Sequence, residues 1–171
     1  MDDNFKINIR KTEYLDIPLI LRFIEELAEC ENLKHKVNIT EEVLKKSLFG
    51  KKPYAKALIV EVNFEPVGFV LFFYTFSTFL GKPGIYIEDL FIKEEFRGLG
   101  IGRKIFEYIS NIAFEKNCNK IEWQVLKWNP AREFYEKIGA NPVDEWVNYQ
   151  LNTDKIVELS KNHIKRLEKL K

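Results

Sequence analysis

The sequence predicts an α/β (α+β) fold, in which a mixed, mostly antiparallel sheet of about six to seven strands carries helices on both faces. Strand-like segments follow one another in the first half of the chain and alternate with helix-like segments in the second half. At 171 residues with 46% hydrophobic residues, the chain is long and apolar enough for one domain with a full core. We therefore expect a single domain over residues 1–171, with a core over about 5–151 and a terminal helix over about 154–171.

Alternation and capping residues predict the first elements. Residues 5–10 alternate apolar and polar, as a half-buried strand does. Asp16 precedes a segment with helical apolar spacing and is a candidate cap for a first helix. Thr40, followed by two glutamates, predicts a second helix that ends near Gly50.

The middle of the chain is predicted to be a run of strands. Residues 57–62 and 67–76 are apolar, and the segment 63–66 between them is typical of a hairpin turn. The turn at 81–84 contains two glycines and a proline, and it leads into a further apolar strand over residues 85–92.

Helices and strands alternate after that point. The sequence predicts a helix over 103–114, a strand over 120–126, a short helix over 131–138 and a last strand over 147–151. Apolar residues at helical spacing predict the terminal amphipathic helix from residue 154 onward.

Composition excludes several classes of function. The 27 basic and 26 acidic residues nearly cancel, and no basic patch indicates a nucleic-acid partner. The longest apolar stretch, residues 67–76, is too short to span a membrane, and the polar N-terminus is not a signal peptide. Cys30 and Cys118 lie far apart without metal-ligand spacing, which indicates reduced thiols, a cytoplasmic protein and no metal.

The most informative motif is the glycine-rich segment 96–102, which lies between the strand at 85–92 and the helix at 103–114. Glycines let backbone amides converge at a helix N-terminus, where the helix dipole favours an anion. The spacing fits neither a dinucleotide-binding fingerprint nor a P-loop. The segment therefore predicts a phosphate or pyrophosphate site, and the alternative is a tight turn without a ligand.

Arg97, Gly100 and Gly102 form an Arg-x-x-Gly-x-Gly motif that resembles the signature of the GNAT acetyltransferases. Three other segments, residues 86–92, 128–131 and 134–140, are similar to the diamine (spermidine/spermine) and thialysine acetyltransferase branch of that family. The resemblance covers roughly residues 5–151, and the predicted order of elements matches the GNAT fold.

This resemblance implies that acetyl-CoA is the cosubstrate, with its pantetheine arm lying along the strand at 85–92 as an added strand would. A nearby backbone amide then faces the thioester oxygen as an oxyanion hole. The cofactor-binding residues that the resemblance implies are Leu90, Phe91, Ile92, Arg97, Gly98, Leu99, Gly100, Ile101, Gly102, Arg103, Asn129, Ala131 and Tyr135.

Acetyl transfer to an amine needs a neutral nucleophile, whereas an alkylamine is mostly protonated at pH 7. Glu88 and Asp89 lie inside an apolar strand, where carboxylates are costly unless they are used or paired. Strict alternation predicts that the two side chains point to opposite faces. Glu88 is the candidate that attracts the ammonium and takes its proton; the alternative is one half-exposed acid and one paired with a cation.

Tyr135 is the candidate general acid that, by resemblance, protonates the departing thiolate of coenzyme A. Without the family context, a tyrosine after Phe134 is better explained as part of the core. Tyr135 and Glu88 are the predicted catalytic pair.

The acceptor amine is expected to contact residues at the end of the first helix, on the central strands and in two loops. Polyamine-type members carry an acid where this chain has Ser77 and Thr78, a pattern that resembles the thialysine branch. The predicted substrate-binding residues are Cys30, Glu31, Ser77, Thr78, Glu88, Asp89, Glu122, Trp123, Gln124 and Glu145.

The sequence is therefore identified as that of a GNAT-like N-acetyltransferase. It is expected to transfer an acetyl group to a primary amine of a polyamine, a diamine or a thialysine- or lysine-like substrate, by direct attack in a ternary complex. A homodimer is expected from the resemblance. Two alternatives remain at this point: a protein acetyltransferase acting on lysines or N-termini, and a CoA-binding module without catalysis.

Overall fold

A computed structural model describes residues 5–168, and the chain divides after Asn129 into two compact units. The strands are β1 Ile7–Lys11, β2 Lys56–Val62, β3 Glu65–Ser77, β4 Lys82–Ile92 and β5 Ile121–Trp123. The helices are α1 Ile17–Cys30, α2 Glu41–Phe49, α3 Ile101–Glu115, α4 Ala131–Lys137 and α5 Thr153–Glu168. The polar N-terminal residues 1–4, and residues 169–171 of the predicted terminal helix, lie outside the described part.

The first unit contains a mixed sheet with the strand order β1-β2-β3-β4-β5. Neighbours from β1 to β4 are antiparallel, and β5 is parallel to β4 after the crossover through α3. This arrangement confirms the predicted fold class. The predicted count of six to seven strands is wrong for residues 5–168, where the sheet has five.

Helices lie on both faces of this sheet, as predicted. On one face, α1 and α2 pack on the sheet through a buried cluster in which the Phe23 ring contacts Phe69 and Phe91. On the other face, α3 contributes Phe106, whose ring lies 4.9 Å from that of Trp123 in β5. The sheet is therefore the centre of the core, and the two faces can be told apart by which helix they contact.

Short-range signals set several boundaries of these elements. The hydroxyl of Thr40 accepts a hydrogen bond from the Val43 amide at 3.3 Å, which confirms the cap of α2. Asn63 and Phe64 both adopt positive φ, 51° and 70°, and form the two-residue turn between β2 and β3. Strand β4 begins at Lys82, earlier than predicted, so the turn before it is shorter than the sequence indicated.

Asp16 stands at the predicted start of α1, but its side chain does not cap the helix. Its carboxylate instead accepts two hydrogen bonds from the Arg10 guanidinium, at 2.7 and 2.9 Å. Arg10 also donates to Glu61 at 2.7 Å, and these bonds hold the pKa of the Asp16 carboxyl below its usual value. Asp16 therefore does not cap α1 but belongs to an ion-pair network that connects α1 to β1 and β2.

The second unit contains α4 and α5. Helix α4 ends at a left-handed Gly139, with φ of 93°, whose amide donates to Glu136 while the Ala140 amide donates to Tyr135. This geometry confirms the predicted stop at Gly139. The last strand predicted over residues 147–151 is wrong: the segment is irregular and exposed, because alternation favours a strand only where a neighbouring strand pairs with it.

Candidate active site

The central feature of the first unit is a β-bulge in β4 at the two predicted carboxylates. Asp89 pairs with Leu71, whereas Ile87 pairs with Phe72, so Glu88 is the extra residue on the bulged strand. Leu71 and Phe72 are consecutive and face opposite sides of the sheet, so Ile87 and Asp89 do as well. The expectation that Glu88 and Asp89 point to opposite faces rests on strict alternation, which does not hold across a bulge.

The bulge brings carboxylates close together. Burial, together with the charges of Glu88 and Glu31, raises the pKa of Asp89 to about 6. Burial also raises the pKa of Glu31, which follows the last residue of α1. Three of the predicted substrate-binding acids therefore lie within electrostatic reach of one another, and the site favours a cationic ligand.

Arg97 links the end of α1 to the end of β4. Its Nε donates to the Ile92 carbonyl at 3.0 Å, and its Nη2 lies 3.8 Å from the Cys30 sulfur. The guanidinium of the Arg-x-x-Gly-x-Gly motif thus has partners within the protein. These two contacts connect the glycine-rich loop to the end of α1 at Cys30.

Beyond the bulge, β4 has an open edge. Strand β5 pairs only with residues 85–87 of β4 and ends at Trp123. From Glu88 to Ile92, β4 has no partner strand on that side within the described residues. The geometry can accept an extended, amide-containing ligand as an added strand.

The backbone direction decides which residues face the open edge. The Lys93 amide donates to the Val67 carbonyl at 2.9 Å and so faces β3. Because consecutive residues face opposite edges, Phe91 also faces β3, and Leu90 and Ile92 face the open edge. The Phe91 side chain is in the core. Of the three predicted residues, only Leu90 and Ile92 therefore direct backbone groups toward the open edge, where a ligand strand could pair.

The glycine-rich loop ends at the N-terminus of α3, as predicted. Gly98 and Gly100 both have φ of 79°, and Gly100 is the left-handed residue before the helix. Within the described residues, no hydrogen bond is donated by the backbone amides from Gly98 to Arg103, and the first helical bond runs from Lys104 to Gly100. These amides include those of Leu99, Ile101 and Gly102, and they form a donor cluster suited to phosphate.

The predicted residues of β5 divide between the two sheet faces. Glu122 pairs with Tyr86 of β4. Burial raises the pKa of the Tyr86 phenol most, and the negative charges of Glu88 and Glu122 also raise it. Trp123 packs on Phe106 of α3, so its side chain lies on the opposite face. Gln124 follows the strand and is exposed.

Ser77 and Thr78 lie away from the bulge in this chain. They are at the far end of the β3–β4 hairpin, where Ser77 pairs with Lys82, roughly 20 Å along the strand from Glu88. The Ser77 hydroxyl accepts a hydrogen bond from the Leu80 amide at 3.4 Å, which gives it a role in the turn.

The other predicted residues lie at the end of the first unit or in the second. The Asn129 amide donates to the Leu126 carbonyl at 2.9 Å, just before α4. In the second unit, Ala131 begins α4, and half-buried Tyr135 lies on it with its ring 5.6 Å from that of Phe134. Glu145 lies in the exposed irregular segment between α4 and α5.

Other kinds of site are not seen in the described part. Among residues 5–168, no cluster of three or more His, Cys, Asp or Glu side chains could hold a metal ion. No helix there has both the length and the apolar character needed to cross a membrane. A surface cavity of about 220 Å³ beside α1, lined by Arg22, Glu65 and Lys93 among others, contains none of the predicted site residues.

Sequence comparison supports the resemblance. The Acetyltransferase (GNAT) family matches residues 20–140. Thialysine N-epsilon-acetyltransferase of Bos taurus is 35% identical over 166 residues, which cover 90% of this chain and 97% of that protein. Spermidine/spermine N(1)-acetyltransferase-like protein 1 of Homo sapiens is 32% identical, over 89% of this chain and 23% of that protein.

Solved structures show the same fold. An integron cassette protein from the mobile metagenome of V. cholerae matches with a TM-score of 0.74 and 25% identity, over 91% of this chain and 98% of that chain. A predicted acetyltransferase from Clostridium acetobutylicum, solved with acetyl-CoA, matches with a TM-score of 0.70 and 24% identity, over 85% and 97% of the two chains. The family match, the curated relatives and the fold agree that the chain belongs to the GNAT family and is an N-acetyltransferase.

Proposed function

We propose that this enzyme transfers the acetyl group of acetyl-CoA to a primary amine of a small polyamine, a diamine or a lysine-like amino acid, by direct attack in a ternary complex. GNAT proteins use acetyl-CoA, and the relatives named above are a thialysine N-epsilon-acetyltransferase and a spermidine/spermine N(1)-acetyltransferase-like protein. The observation that carries the proposal is the meeting, on one strand, of an open edge, a carboxylate-bearing bulge and the glycine-rich loop.

The residues present fit acetyl-CoA. The donor amides from Gly98 to Arg103 suit its pyrophosphate. The outward-facing backbone of Leu90 and the Ile92 amide suit the amides of its pantetheine arm, while the Ile92 carbonyl accepts from Arg97. When bound, acetyl-CoA supplies a thioester carbonyl that an amine can attack. Asn129 and Ala131 remain proposed cofactor contacts through the family resemblance.

The carboxylates prepare the amine. Glu88, Asp89 and Glu31 attract the substrate ammonium, and Glu88 accepts a proton from it, directly or through one water. The neutral nitrogen would then attack the thioester carbonyl, so that the new N–C bond forms and the C–S bond breaks. The nitrogen gives its second surplus proton to solvent, and the sulfur leaves as a thiolate. A backbone amide of the open edge stabilises the negative charge that develops on the carbonyl oxygen.

Tyr135 holds the proton that the departing sulfur needs. We assign it this role through its resemblance to the general acid of the family. A phenol suits this transfer because its pKa is close enough to that of an alkyl thiol. The same resemblance supports a homodimer as the working form of the enzyme.

The pH dependence of kcat/KM for acetyl transfer to lysine tests these roles. We expect Glu88→Gln to lower kcat/KM by roughly 100-fold at neutral pH. We expect Tyr135→Phe to lower kcat by a similar factor with little change in either KM. Glu94→Gln and Tyr54→Phe, exposed residues outside the site, are the controls. Unchanged profiles would reject the assigned roles, and no turnover by the wild type with any amine would reject the function.

A further inference from the structure

Three side chains form a row across the sheet next to the bulge. Phe73 of β3 pairs with Tyr86 of β4, and Tyr86 pairs with Glu122 of β5. Paired residues share a face, so all three side chains lie on the face that α1 and α2 partly cover. The Phe73 and Tyr86 rings stack at 5.1 Å and neither ring is fully buried, which gives this face an aromatic floor.

An ion pair between Lys120 and Glu122 lies at the start of β5, next to the Tyr86 ring. The Lys120 ammonium lies 2.7 Å from a Glu122 carboxylate oxygen, and both side chains are nearly half exposed, at 47% and 41%. The Lys120 carbonyl accepts a hydrogen bond from the Ile85 amide at 3.0 Å, which fixes its backbone at the start of β5. One cation and one anion are therefore presented side by side at a fixed place on the sheet.

The distance from this pair to the bulge is that of an extended amino-acid side chain. Glu88 lies two residues from Tyr86 along β4, and Glu122 lies one strand across from Tyr86. With the usual strand spacings, Glu88 and Glu122 are roughly 8 Å apart at their backbones. An alkyl chain with an amine at Glu88 would pass beside the Tyr86 ring and place its other end at Lys120 and Glu122.

We propose that the Lys120–Glu122 ion pair, with the Tyr86 and Phe73 rings, is a head-group subsite that binds the α-carboxylate and α-ammonium of a lysine-like amino acid while its side-chain amine is acetylated at Glu88. Glu122 accepts hydrogen bonds from the α-ammonium, and Lys120 donates to the α-carboxylate. The Tyr86 ring contacts the methylene groups between them, and the stacked Phe73 ring supports Tyr86 from the β3 side. This inference rests on the proposed function and narrows its acceptor to amino acids that carry a side-chain amine.

The ion pair contributes little to stability, which makes it open to testing. An ion pair between partly exposed side chains at i and i+2 stabilises a fold only slightly, so replacing Lys120 is not expected to unfold the sheet. The neighbouring Tyr86 has a packed role with Phe73 and is the less suitable position for a first variant.

The experiment compares each amino acid with the diamine that differs only by loss of the α-carboxylate: lysine with cadaverine, and ornithine with putrescine. For the wild type we expect kcat/KM to be about tenfold higher for the amino acid in each pair. We expect Lys120→Gln to raise KM for lysine and ornithine by about tenfold and to change the two diamines by less than about twofold. Lys116→Gln, an exposed position at the end of α3, is the matched control.

Two results would overturn the subsite. One is that Lys120→Gln changes KM for an amino acid and for its diamine by the same factor, and the other is a higher wild-type kcat/KM for the diamines. A merely structural role of Lys120 would move both members of a pair together. The binding affinities of lysine and cadaverine, measured by calorimetry, test the subsite without requiring turnover and so separate this inference from the proposed function. A lysine preference that Lys120→Gln removes, without any turnover, supports the subsite and rejects the acetyl transfer. Turnover without such a preference rejects the subsite alone.

Discussion

At the scale of the residue, Asp89 is the most unusual group in the first unit. Its pKa is raised from 3.8 to about 6, first by burial and then by the charges of Glu88 and Glu31. The folded protein therefore holds this proton more tightly than the unfolded chain does. Below about pH 4 the proton is bound in both states, and as pH rises through 6 the folded state loses stability relative to the unfolded one.

This linkage predicts that Asp89→Asn stabilises the protein above pH 7. The neutral amide avoids a buried charge, so we expect a gain of about 1 to 3 kcal/mol at pH 8 and much less at pH 4.5. Urea unfolding of both proteins at the two pH values measures the difference. Glu95→Gln, an exposed position, controls for the change in net charge. Equal effects of Asp89→Asn at both pH values would contradict the account of Asp89.

The sequence predicts the role of a single residue correctly when its hydrogen-bond partner lies within a few residues of it. Thr40 and Gly139 act within a few residues of themselves, and both were predictable as the start and the stop of a helix. Asp16 looks like Thr40 in the sequence, but Arg10 on a different element takes its carboxylate. No local pattern distinguishes these two cases, because the competing donor is brought in by the fold.

At the scale of the element, β4 carries both the bulge and the open edge of the candidate site. Its first part pairs on both sides, its bulge presents Glu88, and its last part is open toward the missing continuation of β5. The sequence predicted this strand and its two acids. It could not predict the bulge, because only the pairing with Leu71 and Phe72 reveals which residue is extra.

The loop after β4 yields a prediction about cofactor binding. Gly100 has φ of 79°, so Gly100→Ala imposes a left-handed conformation on alanine at a cost of about 1 kcal/mol. A shift in the loop would misdirect the amides from Gly98 to Arg103, and we expect the Kd for acetyl-CoA to rise by about tenfold.

Gly81 provides the matched control for this variant. It also has positive φ, 61°, and open space where a Cβ would lie, but it is in the β3–β4 turn. Gly81→Ala is expected to cost similar stability and to leave acetyl-CoA binding unchanged, as measured by isothermal titration calorimetry. Equal Kd values for Gly100→Ala and the wild type would argue against the loop as the pyrophosphate site.

At the scale of the whole molecule, the two units differ in how well the sequence predicts them. The first unit follows the predicted order of strands and helices, because alternation, helical spacing and turn residues agree there. In the second unit the helices at 131–137 and 153–168 were predictable, but residues 147–151 do not form the predicted strand. Sequence reasoning did not identify Tyr86, Phe73 and Lys120, the further residues of the proposed head-group subsite. Strand register places Phe73 and Tyr86 beside the predicted Glu122, and Lys120 comes two residues before it.

The central claim is that this chain is an acetyl-CoA-dependent amine acetyltransferase with a small-molecule acceptor. The measurement that tests it most directly is release of coenzyme A thiol from acetyl-CoA in the presence of lysine, thialysine, ornithine, putrescine, spermidine or a lysine-containing peptide. The account predicts rapid release with at least one small amine, slow release with the peptide, and an N-acetylated product of matching mass. Bound acetyl-CoA without thiol release for any amine, or release with the peptide alone, would contradict it.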